Sequence, residues 1–168
     1  MKGRIRARWS GAALASLLAV AGSVSVATQL LGSEAPDFVL KSLAGKNLRL
    51  SEYRGEVVML SFWATWCGDC RAQLAELGAM RDRYQDAGVE LLAVSLDQSA
   101  RQASEVTAGA TYPVLHDAGG EVGRLYDVTK MPVMVLIDRG GVVREVFEGF
   151  RRGNEEQYLE HVQALLRE

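Results

Sequence analysis

Val57-Val58-Met59-Leu60-Ser61-Phe62-Trp63-Ala64-Thr65-Trp66-Cys67-Gly68-Asp69-Cys70-Arg71 is the stretch that decides the reading of this 168-residue chain. Its first seven residues form a nearly continuous apolar run, the pattern of a strand buried on both faces. The only two cysteines follow, three apart, and Leu74, Leu77, Met80, Arg81 and Tyr84 then recur at helical spacing. The spacing predicts a helix from about Cys67 to Asp86 that stops at Gly88. A helix N-terminus carries partial positive charge and unpaired N–H groups, so a thiolate there is stabilised. In a regular first turn Cys70 lies within disulfide reach of Cys67. Cys67 is then placed to attack a substrate disulfide and Cys70 to resolve the mixed disulfide. Two blander readings compete. A structural disulfide closing so small a loop constrains the unfolded chain little. A zinc site needs two further ligands, and His116 and His161 show no metal-binding spacing, so no metal and no other cofactor is expected.

Working outward, Phe38–Leu40 and Leu48–Leu50 flank Gly45-Lys46-Asn47 and read as a short hairpin. Val89–Leu96 is a second buried strand, Ser99–Gly109 a helix and Gly120–Asp127 a shorter one. Val133–Ile137 and Val142–Phe147 are strands joined through Asp138-Arg139-Gly140-Gly141, a hairpin turn. Asn154 and Gln157 form a capping-box pattern, and Tyr158, Leu159, Val162, Leu165 and Leu166 make one apolar stripe that belongs to the core. A strand–helix–strand crossover implies parallel central strands, to which the Asp138–Gly141 turn adds an antiparallel pair. The expected fold is α/β, a mixed central sheet with helices on both faces and an added N-terminal β-hairpin.

Composition agrees with one domain and an extension. The chain is 48% apolar and 24% charged, which excludes a disordered or collagenous protein. Lys2, Arg4, Arg6 and Arg8 crowd the N-terminus, and no charge occurs from Trp9 to Leu31. A basic flank before an apolar stretch is the pattern of an export signal, with small residues at Ser25 and Ala27 suiting cleavage after Ala27. Retention of residues 9–31 as an inner-membrane anchor is the alternative. Residues 1–27 are thus set apart as signal peptide or anchor, and 34–168 as the folded domain. Removing residues 1–27 takes away four of 19 basic and none of 21 acidic side chains, leaving 15 against 21, or −6. Such a domain lacks the basic footprint of a nucleic-acid binder. Beyond the membrane a lone cysteine pair is a disulfide unless something reduces it.

Phe62-Trp63-Ala64-Thr65-Trp66-Cys67-Gly68-Asp69-Cys70-Arg71 resembles the active-site stretch of the thioredoxin superfamily. Ala35-Pro36-Asp37-Phe38, Leu50-Ser51-Glu52-Tyr53-Arg54-Gly55 and Met131-Pro132 before an apolar strand narrow the likeness. Together they resemble the exported TlpA/ResA-type thiol–disulfide oxidoreductases over residues 34–168. The resemblance implies a thioredoxin-like fold and a cis Pro132 facing the cysteines. It also implies a Met131 backbone that pairs with a substrate strand, and a membrane partner that supplies electrons. Family substrates include apocytochrome c thiols and copper-site cysteines, and a monomer is expected. The chain departs from the family pattern at Asp69 and Ala75, where Pro is common, and at Gln73, where an acid is. Ser61 stands where thioredoxin proper holds a buried Asp.

Asp69 has two readings, a first-turn carboxylate that favours the helix and a charge that disfavours the Cys67 thiolate. Trp66 and Gly68 complete the expected surround of the thiol, and Trp63 is expected in the core. His116 is expected in a surface loop, Lys130 in solvent, and Glu155-Glu156 as a helix-start pair. Two rival functions remain. Ala35-Pro36-Asp37-Phe38 also occurs in peroxiredoxins, but their Pro and Thr/Ser ahead of the reactive cysteine are not matched. A copper-binding module would use Cys67, Cys70 and His116, although copper carriers of this fold usually space their cysteines more widely.

Overall fold

The computed structural model describes residues 30–168; the export segment expected at residues 1–27 lies outside them. Strands β1 (Val39–Ser42) and β2 (Asn47–Arg49) form the hairpin, followed by a 3-10 turn at Leu50–Tyr53 and by β3 (Val57–Trp63). Next come α1 (Cys70–Tyr84), β4 (Val89–Ser95), α2 (Ala100–Val106), β5 (Val114–His116) and α3 (Glu121–Leu125). Strands β6 (Val133–Ile137) and β7 (Val143–Glu148) precede the terminal helix α4 (Asn154–Leu166). One seven-stranded sheet results, in the order β2-β1-β5-β4-β3-β6-β7.

All seven residues of β3 are buried, as its unbroken apolar run requires of a central strand. It pairs in parallel with β4 from Val57↔Val89 to Trp63↔Ser95, and antiparallel with β6. The Asp138–Gly141 turn is closed by the Gly141 N–H donating to the Asp138 carbonyl at 2.9 Å and leads into the antiparallel β6–β7 pair. Strand alternation divides the core. Val58, Leu60 and Phe62 face α3 and the N-terminal segment, with Tyr126, Val135 and Phe38 around them. Val57 and Met59 face α1 and α4, against Leu77, Met80, Tyr158 and Val162. Burying a side chain such as Leu60 is worth roughly 1.5–3 kcal/mol. The fold is thus the expected thioredoxin-like α/β arrangement with helices on both faces and an N-terminal hairpin.

Several boundaries differ from the sequence reading. Helix α1 begins at Cys70, not Cys67, because the chain first closes a turn in which the Cys67 N–H donates to the Ala64 carbonyl at 3.1 Å. Its first helical acceptor is the Asp69 carbonyl. Residues 114–116, with no strand expected, form β5 between β1 and β4. At three residues, with Pro113 just before it, β5 is too short to show alternation. His116 therefore ends a short strand, itself half-buried, instead of lying in a surface loop, and its Nε2–H donates to the Asp97 carbonyl at 2.8 Å. The Asn154/Gln157 capping box does not form. Gly153 is the N-cap at φ 96°, so Asn154 is already helical. Helix α2 stops at Val106, where Thr107 folds back on the Ala103 carbonyl through both its N–H and its hydroxyl.

Candidate active site

The Cys67–Cys70 disulfide joins the loop after β3 to the first residue of α1, with 5.4 Å between the Cα atoms. Its two cysteines are unequally buried. Cys70 is fully buried and Cys67 is 9% exposed, so only Cys67 can be approached from solvent. Trp66, immediately before it, is 71% exposed. Gly68 and Asp69 are exposed as well. Asp69 sits at the N-cap position of α1 but its side chain makes no capping bond, which leaves its carboxylate in solvent beside the disulfide. Cys67 keeps its place just ahead of the positive end of a 15-residue helix.

Across the site the Met131–Pro132 peptide is cis. Pro132 is buried, and Met131 packs against the cluster formed by Trp63, Cys67, Cys70 and Leu74. The Gly149 N–H donates to the Pro132 carbonyl at 2.7 Å, tying this bend to the end of β7. A groove of about 530 Å³ starts at Asp69 and Met131 and runs past Glu148 and Arg151 to Gln157. The structure therefore gathers Trp66, Cys67, Gly68, Asp69, Cys70, Met131 and Pro132 at one end of the sheet. Lys130 is exposed and Trp63 is fully buried.

Beneath the disulfide lies a neutral hydrogen-bonded chain. Gln73, one turn after Cys70, is fully buried. The Ser61 hydroxyl donates to its Oε1 at 3.2 Å, and its Nε2 donates to the Tyr158 hydroxyl, also at 3.2 Å. Positions 61 and 73, where the resemblance leads one to expect acids, are thus filled by a hydroxyl and an amide that satisfy each other. One turn further along α1, Glu76 keeps a buried Oε2 without a partner. Burial first, and then the Glu155 carboxylate, push its carboxyl above the ordinary glutamate value, with Arg152 opposing.

A second polar cluster supports the loop from the other side. The Asp97 carboxylate, 2% exposed, accepts hydrogen bonds from the Thr65 N–H, the Thr65 hydroxyl and the Ser95 hydroxyl. Asp97 and Tyr158 belong to the surround of the site although no sequence motif includes them. A tyrosine within the leucine and valine stripe of α4 was the available signal for one, since a buried phenol needs a partner. Nothing local marks Asp97. His116 turns to the Asp97 backbone and does not join the cysteines. Among the described residues no three His, Cys, Asp or Glu side chains gather as a metal site would require.

Residues 31–146 match the model of the AhpC/TSA family. The thiol–disulfide oxidoreductase ResA of Geobacillus thermodenitrificans is 35% identical over 137 residues, which are 80% of this chain and 78% of that protein. Among solved structures, a DsbE-assigned thiol:disulfide interchange protein of Chlorobium tepidum superposes with a TM-score of 0.78 at 38% identity. That match covers 81% of this chain and 97% of the other. The exposed lipoprotein thioredoxin of Streptococcus pneumoniae gives 0.66 at 30% identity, over 77% and 100% of the two chains. The chain belongs to the AhpC/TSA family and, within the thioredoxin superfamily, is a ResA-like thiol–disulfide oxidoreductase.

Proposed function

We propose that this thiol–disulfide oxidoreductase works as a reductant of exported proteins, with Cys67 as nucleophile and Cys70 as resolving thiol. The observation that carries the assignment of roles is the unequal burial of the pair, 9% against fully buried. A bulky protein disulfide can reach only the sulfur that meets solvent. In the reaction the Cys67 thiolate attacks one substrate sulfur, forming a mixed disulfide and releasing the other as a thiolate. Cys70 then attacks Cys67, restoring the disulfide seen here and releasing the second substrate thiol. Trp66, Gly68 and Asp69 border the approach, and the Met131 backbone ahead of Pro132 pairs with an extended substrate segment. The basic and apolar N-terminal residues, read as an export signal or anchor, support a working place outside the cytoplasm. There a reductant draws electrons from a membrane thiol donor, and cytochrome c maturation or copper-site cysteines are its suitable tasks. The domain acts as a monomer.

The direction of transfer is tested by the reduction potential of the 67–70 pair. A value below about −270 mV is expected, and one near −120 mV would make the protein an oxidase. The roles are tested by insulin reduction with the purified protein. Cys67→Ser is expected to abolish turnover, and Cys70→Ser to accumulate a mixed disulfide through Cys67. Turnover that survives Cys67→Ser refutes the assignment. Catalytic consumption of hydrogen peroxide with a thiol donor would favour the peroxidase reading instead.

A further inference from the structure

We propose that Asp97 is a positioning residue for disulfide exchange, acting through Thr65 to hold the turn that presents Cys67 and so favouring closure of the Cys67–Cys70 bond. The proposal rests on the exchange reading above and extends it to the loop after β4. Asp97 is itself held firmly. Its N–H donates to the Ser95 hydroxyl at 3.2 Å, that hydroxyl donates back to Oδ2 at 2.9 Å, and the His116 ring donates to its carbonyl at 2.8 Å. From this fixed position the carboxylate takes the Thr65 N–H on both oxygens, at 3.0 and 3.1 Å, and the Thr65 hydroxyl on Oδ1 at 2.7 Å. Thr65 is the second residue of the turn closed by the Cys67 N–H on the Ala64 carbonyl. Two donors of Thr65, its N–H shared between both oxygens and its hydroxyl, are therefore held by one buried carboxylate two residues before the nucleophile. Burying a carboxylate is costly, and an apolar side chain would fill the same space without that cost. Its presence is accounted for by what it holds.

The step that benefits is resolution. The Cys70 thiolate attacks Cys67 Sγ of the mixed disulfide, the 67–70 bond forms and the bond to substrate breaks. The electron pair leaves on the substrate sulfur, which then takes a proton from water. Across the whole cycle two electrons pass from the dithiol to the substrate disulfide. The three sulfurs must lie nearly in line, so the orientation of Cys67 counts directly in the rate. With the 67–70 bond open, Cys67 is linked to α1 only through Gly68 and Asp69, and the turn depends on its other restraints. The clamp holds the conformation found with the bond closed. It therefore raises the effective concentration of one sulfur at the other. By linkage, removing it weakens the disulfide relative to the dithiol and raises the potential.

The test uses the full chain equilibrated with glutathione, with the 67–70 disulfide followed by thiol alkylation. Thr65→Val removes the hydroxyl bond while preserving the N–H and the side-chain size; Thr65→Ser preserves both bonds. Thr65→Val is expected to lower the equilibrium constant for disulfide closure by about threefold to tenfold. Tenfold corresponds to about 30 mV upward in potential. It is also expected to slow release of a thiol from the preformed mixed disulfide, with Thr65→Ser staying within about twofold of wild type on both measures. Asp97→Asn should exceed Thr65→Val in the same direction, and if it fails to fold, Thr65→Val decides. An unchanged constant in Thr65→Val, or an equal shift in Thr65→Ser, overturns the proposal. So do equal losses of thermal stability in the oxidised and reduced forms of Thr65→Val, which would mark the clamp as architecture alone. Failure of the exchange reading would look different, as a wild-type protein that equilibrates with glutathione but reduces no protein disulfide.

Discussion

Asp69 and Gln73 lie on either side of Cys70, the first exposed and ionisable, the second buried and neutral. Asp69 is exposed and makes no capping bond, so its effect on the site is that of a negative charge beside a sulfur that must become negative. Such a charge is predicted to disfavour the Cys67 thiolate and so to make the pair more reducing than one with proline there. Asp69→Pro is expected to lower the Cys67 thiol pKa and raise the potential, as followed by ultraviolet thiolate absorbance. A pKa that is unchanged or higher refutes this. Gln73 contributes no charge at any pH, and its amide is satisfied by Ser61 and Tyr158. Gln73→Glu would bury a carboxyl among neutral partners, raising its folded-state pKa above the unfolded value of about 4.3. The protonated acid is tolerated, so the stability cost is absent below about pH 4 and grows as pH rises, reaching roughly 3 kcal/mol at pH 7. Denaturant unfolding across that range checks the sign. The cysteine pair, Trp66 and Met131-Pro132 were legible because each lies in a local motif. Tyr158 and Asp97 were not, since their partners are 85 and 32 residues away in the chain.

At the scale of elements, α1 carries the resolving Cys70 and also a weak point. Glu76 faces the start of α4 with a buried oxygen unpaired and its carboxyl pushed upward, by burial first and by Glu155 second. A raised carboxyl pKa means that ionisation opposes folding. Glu76→Gln is therefore expected to stabilise the protein by about 0.5 kcal/mol at neutral pH. The gain should vanish as pH falls below the ordinary glutamate range, where both side chains are neutral, and thermal melts at pH 7 and pH 4 separate the two regimes. The end of this helical segment was legible in the sequence. Gly88 takes φ 89° and donates its N–H to Gln85, the left-handed stop that glycine makes easily. The start was less so. Gly68 and Asp69 fit a first turn as readily as a loop, and only the Ala64–Cys67 turn settles the matter. Helix α4 shows the converse, a capping sequence at Asn154 displaced by a glycine one residue earlier.

On the scale of the whole molecule, the reactive loop leaves the central strand and the β1–β2 hairpin lies at one edge of the sheet. Cys67 follows the central strand β3, whose seven-residue ladder to β4 and five-residue ladder to β6 hold the site from both sides. Buried runs such as β3 and β6 predict themselves, because burial on both faces leaves a continuous apolar signature. Short β5 does not, and its pairing with β1 extends over only two residue pairs, Lys41↔His116 and Ser42↔Leu115. Through that narrow seam the β1–β2 ribbon pairs with the rest of the sheet, helped by the Leu43 N–H on the Val114 carbonyl and by Leu40 and Leu48 packing on the core. Local opening of such a seam costs far less than global unfolding. In native-state hydrogen exchange the amides of β1 and β2 are expected to exchange well ahead of those in β3 and β4, and at the same rate whether the cysteines are joined or free. The ribbon can thus breathe, be lengthened at its Gly45 tip or carry a label, while the ladder beneath the disulfide stays closed.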